Sequence, residues 1–359
     1  MTITKYECDD CMKDFLKQLP KCEHHVHLEG TLEPNLLFKL AKRNHITLPS
    51  NFPKTEEECR ERYNNFADLQ DFLDHYYIGM SVLIKEQDFY DLAMSYFKKA
   101  HDDGCLHSEV FFDPQGHLER SIELKTVVSG FHKACIDANK KFGTTNKLIM
   151  CLLRHLPSSD GLKVIQDSKK YYQNNIIHGL GLDSSEKPFP PRLFENCYNL
   201  IHKEFPNVGL TAHAGEEGNY KYVEDSLNLL KVTRIDHGVN SKQSKKLMER
   251  LAKDQTLLTI CPLSNVKLQV VKDVSELPIS LFFNKNIPFS INSDDPAYFG
   301  GYILENYIAV HESFGFGVKE WKQISLNGIN GSWCSEDRKK ELRNKVDEVC
   351  EKFGKLISI

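Results

Sequence analysis

Eight short apolar runs recur along the chain, each closing on polar residues, with His or Asp among them in the first, fifth, sixth and eighth. They cover residues 20–30, 105–114, 147–155, 176–184, 208–216, 234–238, 257–265 and 287–296. Most are bounded by Gly, Pro, Asp or Ser, as strands buried on both faces of a parallel sheet should be. The stretches 119–142, 160–173, 191–204, 220–231, 241–254 and 302–314 between them carry helical periodicity. Strand then helix, eight times over, predicts an α/β (β/α)8 barrel of the TIM type.

Such a barrel needs ~250 residues, so roughly 100 of the 359 are extra. Part of the surplus lies at 45–100, where Tyr63, Phe66, Leu69, Phe72, Leu73, Tyr76 and Tyr77 predict helices over the barrel mouth. The rest is a C-terminal helical extension, about 317–355, that begins near Trp321 and Trp333. No linker, repeat or low-complexity tract divides the chain, so residues 1–359 read as one domain. A net charge of −4 leaves no footprint for nucleic acid or an anionic membrane surface. No apolar stretch approaches the roughly 20 residues that span a bilayer. The N-terminus lacks a secretory apolar core, and the 11 cysteines are scattered. Free thiols in a reducing cytoplasm, with the nucleus as a second compartment, are the expectation.

In a barrel of this kind, functional residues gather at the carboxyl ends of the strands. His25 and His27 close the first run, His213 the fifth, His237 the sixth, and Asp294 with Asp295 the eighth. Side chains alternate along a strand, so His25 and His27 share a face and His24 turns away from it. One such histidine on an apolar run is ordinarily a satisfied core residue; four convergent strand ends are not explained by burial. Three imidazoles and a carboxylate suit zinc, which predicts His25, His27, His213 and Asp294 as ligands of one ion per chain. A bound zinc lowers the pKa of its water from ~15.7 towards about 7. Glu216, three residues beyond His213, is placed to act as general acid and base, and His237 to orient the attacking hydroxide. Asp295 is left to hydrogen-bond the substrate. The competing explanation for Glu216, and the better one for Glu217, is an anion in the first turn of the next helix.

Four segments, His25-Val26-His27-Leu28-Glu29-Gly30, Thr211-Ala212-His213-Ala214-Gly215-Glu216, Arg234-Ile235-Asp236-His237-Gly238 and Ser290-Ile291-Asn292-Ser293-Asp294-Asp295-Pro296, resemble the signatures of the adenosine and adenine deaminase family. The order is right, and the resemblance runs from about residue 18 to beyond 340. The segments 28–34, 182–186 and 292–302 look most like the fungal adenine deaminase branch. The resemblance implies hydrolysis at C6 of a purine, with Glu216 protonating N1, His237 and Asp294 holding the hydroxide, and Asp295 contacting N7. Adenine would become hypoxanthine and ammonia, as in purine salvage. It also implies substrate contacts for Glu29 and Ser184. Glu29 stands where adenosine deaminases carry a ribose-contacting Asp, and its extra methylene would fill ribose space and favour the free base. Ser184 stands in the strand-four loop, where a backbone N–H meets purine N3. Adenosine or another 6-aminopurine is the alternative substrate, and a purine-binding sensor on the same barrel is the non-enzymatic alternative.

Three further signals are set aside. His107-Ser108-Glu109 matches the short H-x-E motif of another zinc deaminase class but lacks its P-C-x-x-C partner. Cys8 and Cys11 have ligand spacing without a second pair. Lys187, which in related binuclear hydrolases would bridge two metals, follows a polar loop and precedes Pro188, so one metal is expected.

Overall fold

The computed structural model describes residues 5–357. Eight parallel strands follow one another in spatial order: β1 (Lys21–Glu23), β2 (Cys105–Phe112), β3 (Thr145–Leu153), β4 (Ile177–Asp183), β5 (Gly209–Ala214), β6 (Arg234–His237), β7 (Leu257–Ile260) and β8 (Phe289–Ile291). The seam between β8 and β1 is bridged beyond the regular strands. His27 N–H donates to the Asp294 carbonyl at 2.9 Å, and Asp294 N–H donates to His25 at 3.0 Å. The predicted barrel is therefore present. One detail differs from expectation: β1 ends at Glu23, and His25 and His27 sit on the irregular backbone after it. Short bridges from Val26 to Asp294 and from His27 to Phe111 keep that segment in the wall.

The apolar runs become strands because both faces are covered. On the outside, strand side chains such as Leu148, Met150 and Leu152 pack into the main core beneath the helices. On the inside, Phe111, Ile149 and Cys151 form a separate small cluster against Trp333. Trp333 plugs the amino end of the barrel, and Gly179 and Gly209 are glycine because a Cβ at either place would strike its indole. Arg234 stacks over the same ring with its guanidinium carbon 4.0 Å from the centroid, and it pairs with buried Glu109 at 2.5 Å. His107, paired with Glu109 at 3.0 Å, belongs to this plug, far along β2 from the rim.

The insertion at 45–100 divides its work. The helix Leu69–Met80, capped by the Asp68 side chain on Asp71 N–H, lies across the mouth. The helix Glu86–Asp102 instead joins the outer ring, where Phe89 meets Phe131 of the helix Leu124–Phe142. The C-terminal surplus forms two helices, Val318–Gly331 and Glu336–Ile357. All 11 cysteines are free, and among the described residues no helix is long and apolar enough to cross a membrane.

Candidate active site

At the carboxyl rim, four side chains from three separate parts of the chain converge. His25 Nε2 lies 3.2 Å from Asp294 Oδ1, His27 Nε2 lies 3.2 Å from His213 Nε2, and His27 Nε2 lies 3.5 Å from Asp294 Oδ1. Zinc bonds of about 2.0–2.2 Å in a tetrahedron put ligand atoms roughly 3.3 Å apart, so this spacing fits a shared ion. All four residues are buried, and His25 Nε2 has no hydrogen-bond partner. An orphaned buried nitrogen costs free energy unless something else occupies it. Burial first, then the neighbouring imidazole charges, push the pKa of His213 well down. Burial likewise lowers that of His27. Both are thus neutral, the state in which imidazole binds a cation. Burial would push Asp294 up, but the imidazoles of His25, His237 and His27 hold its carboxyl well below the usual range.

The opposite ring nitrogens are held from behind. His25 Nδ1 and Thr259 Oγ1 are 2.8 Å apart, and Thr259 donates in turn to Asp236 Oδ1 at 3.2 Å. Asp236 also accepts from Thr211 Oγ1 at 2.7 Å and lies 3.7 Å from His213 Nδ1. His27 Nδ1 faces Asp183 at 3.5 Å. Such carboxylates behind imidazoles fix the tautomer and the ring orientation. Asp236, Thr259, Asp183, Ser264 and Asn265 were not singled out as site residues. The signal that could have found Thr259 is alternation, since it is the one polar residue of the strand Leu257–Ile260.

Beside this centre, Glu216 Oε2 lies 3.3 Å from His237 Nε2, and Asn265 Nδ2 donates to Glu216 Oε1 at 3.0 Å. Burial, then Asp294 and Glu186, push the Glu216 carboxyl well up, which favours its protonated form. Burial and then the His25 imidazole lower His237 to about 3, which keeps it neutral. Asp294 Oδ2 accepts from Ser264 Oγ at 2.6 Å and faces His237 Nε2 at 3.8 Å. Asp295 fills the space where a Cβ of residue 30 would stand, so the chain turning past it there is glycine. Three non-glycine residues of the rim have left-handed backbones: Ser184 (φ 70°), His237 (φ 62°) and Asp294 (φ 62°). Each such conformation costs of order 1–3 kcal/mol and collects where function over-determines the backbone.

These groups line a narrow cavity of about 50 Å³ under Leu69, Phe72, Leu73, Tyr76 and Tyr77. His27, His213, Glu216, His237, Asp294, Asp295 and Ser184 all reach its wall; His25 lies behind them. The Ser184 hydroxyl is 2.8 Å from His155 Nδ1. Glu29 is placed differently from the expectation of a ribose-filling side chain. Its buried carboxylate accepts from Asp113 N–H at 3.1 Å and faces His117 Nε2 at 2.8 Å, outside the cavity lining. Glu29 is thereby a brace behind the wall, since a glutamate here finds a histidine partner that orients it away from the opening. His24 is buried between Ser290 and Ser332 and faces away from the centre, as alternation predicts. Glu186 accepts the backbone N–H groups of Gly215, Glu216 and Gly218.

A parallel eight-stranded barrel with a buried His/Asp centre at its carboxyl rim defines a metal-dependent hydrolase of the barrel class. Within that class, the chain belongs to the adenosine deaminase family, whose sequence profile matches residues 20–349. It is 72% identical over 352 residues to an adenine deaminase of Candida albicans, covering 98% of this chain and 99% of that one. It is 58% identical over 342 residues to an adenine deaminase of Saccharomyces cerevisiae, with coverage of 95% and 99%. A crystal structure of an adenine deaminase from Arthrobacter aurescens superposes with a TM-score of 0.87 at 39% identity, covering 92% of this chain and 98% of that one.

Proposed function

We propose that this chain is an adenine aminohydrolase that converts adenine and water to hypoxanthine and ammonia. The observation that carries the reading is the juxtaposition of a buried four-ligand centre with the buried Glu216 carboxyl, held by Asn265, in one small cavity. His25, His27, His213 and Asp294 would hold one zinc ion, which when bound supplies a water acidic enough to serve as hydroxide near neutral pH. Glu216 hands its proton to purine N1, which makes C6 electrophilic as it becomes tetrahedral. His237 and Asp294, 3.8 Å apart, bracket the place from which the nucleophile approaches and orient its proton. Asp295, buried and with Oδ1 unpaired, is the group for N7. Its carboxyl is pushed well up by burial and then by Asp294, so it can donate. Ser184 reaches the wall near the N3 edge. Helix Leu69–Met80 supplies the apolar faces that pack on the flat ring and exclude water. The likeness to adenine deaminases at 72% and 58% identity supports the free base over a nucleoside. Eleven free cysteines support residence in the reducing cytoplasm or nucleus. The barrel, its mouth helix and its C-terminal helices act as one domain in this reading.

Ammonia release from adenine and from adenosine, measured side by side on zinc-loaded protein, tests the proposal. Turnover of adenine that chelation abolishes and zinc restores is the expected result. No ammonia at any metal loading would leave a sensor, and a preference for adenosine would overturn the free-base assignment.

A further inference from the structure

We propose that Asp113 is the specificity residue that recognises the N9–H of the free purine and so distinguishes a base from its N9-substituted derivatives. The inference rests on the adenine reading above. Asp113 follows the last residue of β2 and lines the cavity. It is 3% exposed, and no donor among the described residues reaches its Oδ1. Its other oxygen is fixed: Tyr76 of the mouth helix donates to Oδ2 at 3.1 Å. Its backbone N–H is anchored on Glu29, which His117 braces in turn. The carboxylate therefore presents one unused acceptor in a set direction.

The chemistry of the ligand supplies the match. With C6 at the metal centre, N1 at Glu216 and N7 at Asp295, the purine turns its N3/N9 edge to the remaining polar wall. That wall contains Tyr76, Tyr77, Asp113, Asp183 and Ser184. Asp183 also lines this wall with both oxygens unpartnered, facing His27 Nδ1 at 3.5 Å. Burial and then the Asp113 charge push its carboxyl well up, which leaves Asp113 the acceptor of the two. The Tyr76 hydroxyl is committed to Asp113. Free adenine carries a hydrogen on N9 in its main tautomer, whereas a nucleoside or a 9-alkyl purine has none. A buried acceptor that finds its donor only in the free base discriminates more strongly than an apolar pocket, because an analogue lacking the donor leaves the acceptor unpaired.

Steady-state kinetics on adenine and 9-methyladenine, with wild type, Asp113→Ala and Asp113→Asn, test this directly, with bound zinc and thermal melting measured for each. In Asp113→Ala, kcat/KM for adenine should fall about 10–100-fold, the size of a hydrogen bond to a charged group. The value for 9-methyladenine should hold or rise, so the ratio collapses. Asp113→Asn, which keeps a neutral acceptor, should fall between wild type and Ala, and it carries the test alone if the Ala variant does not fold. Equal losses on both substrates, or an unchanged ratio in a folded zinc-loaded variant, would overturn the role of Asp113. A wild-type protein inert towards adenine would instead overturn the reading beneath it.

Discussion

The Glu186 carboxylate accepts the backbone N–H of Glu216 at 2.9 Å, and also those of Gly215 at 3.1 Å and Gly218 at 2.7 Å. One buried anion thus gathers the loop that carries the proposed proton donor, and Asn240 closes the other side through the Glu216 and Gly218 carbonyls. None of these contacts touches the metal-capable centre. Glu186→Ala should therefore cut kcat for adenine by about 10²-fold, the scale of a small misplacement of a catalytic group. Zinc content should stay at the wild-type level. Metal analysis beside single-turnover kinetics checks it, and parallel loss of zinc and rate would assign Glu186 to the fold of the centre instead.

Glu216 itself is isosteric with Gln, so the substitution removes the proton while leaving the Asn265 neighbour in place. Glu216→Gln should keep fold and zinc and lose ~10²–10⁴ or more in turnover. Rates near wild type would remove Glu216 from the proton path.

The two adjacent aspartates should separate cleanly. Asp294 shares its oxygens with His25, His27 and Ser264, whereas Asp295 packs on Gly30. Asp294→Asn should lower zinc affinity; Asp295→Asn should keep zinc and raise KM for adenine. Zinc titration of both variants checks this, and loss of metal from the second would reverse the assignments.

The rim was legible because a polar residue closing an apolar run stands out: His25, His27, His213, His237 and Asp294 all announce themselves that way. What lies behind them was harder to see. Asp236 sits beside His237 in a run already explained, and Thr259 is an unremarkable strand residue until β7 places it against His25. Asp113 precedes a proline and looks like a helix cap. Alternation marks Thr259 as polar on an apolar strand, but which imidazole it braces depends on strand register around the whole barrel. Glu29 shows the same limit: its type was readable, but the direction of its carboxylate is set by His117, 88 residues away.

At the opposite end of the barrel, Arg234 and Glu109 form a pair of which Arg234 is 1% exposed and Glu109 fully buried. Burial opposes ionisation of Glu109, but the Arg234 charge and His107 hold its carboxyl well below the usual range. Removing one partner strands the other in a dry core. Glu109→Ala should destabilise by about 3–5 kcal/mol in denaturant unfolding, while the kinetics of whatever folds remain near wild type. A loss below 1 kcal/mol would mean that water reaches the plug.

His178, at the amino end of β4, has a buried Nδ1 without a hydrogen-bond partner. Burial, then the neighbouring Lys147 charge, lowers its pKa to about 4. Unfolded, the same side chain takes its proton near 6.5. Between those values the unfolded chain binds more protons than the folded one, so stability drops as the solution is acidified. The contribution of His178 is fully present above about 6.5 and gone once the pH drops through about 4. Full protonation of one site corresponds to about 1.4 kcal/mol per pH unit. In His178→Asn, unfolding free energy should therefore decline less steeply over this window than in wild type. Denaturant curves taken at half-unit steps from pH 7 to pH 4 measure the two slopes, and superimposable slopes would place the acid sensitivity elsewhere.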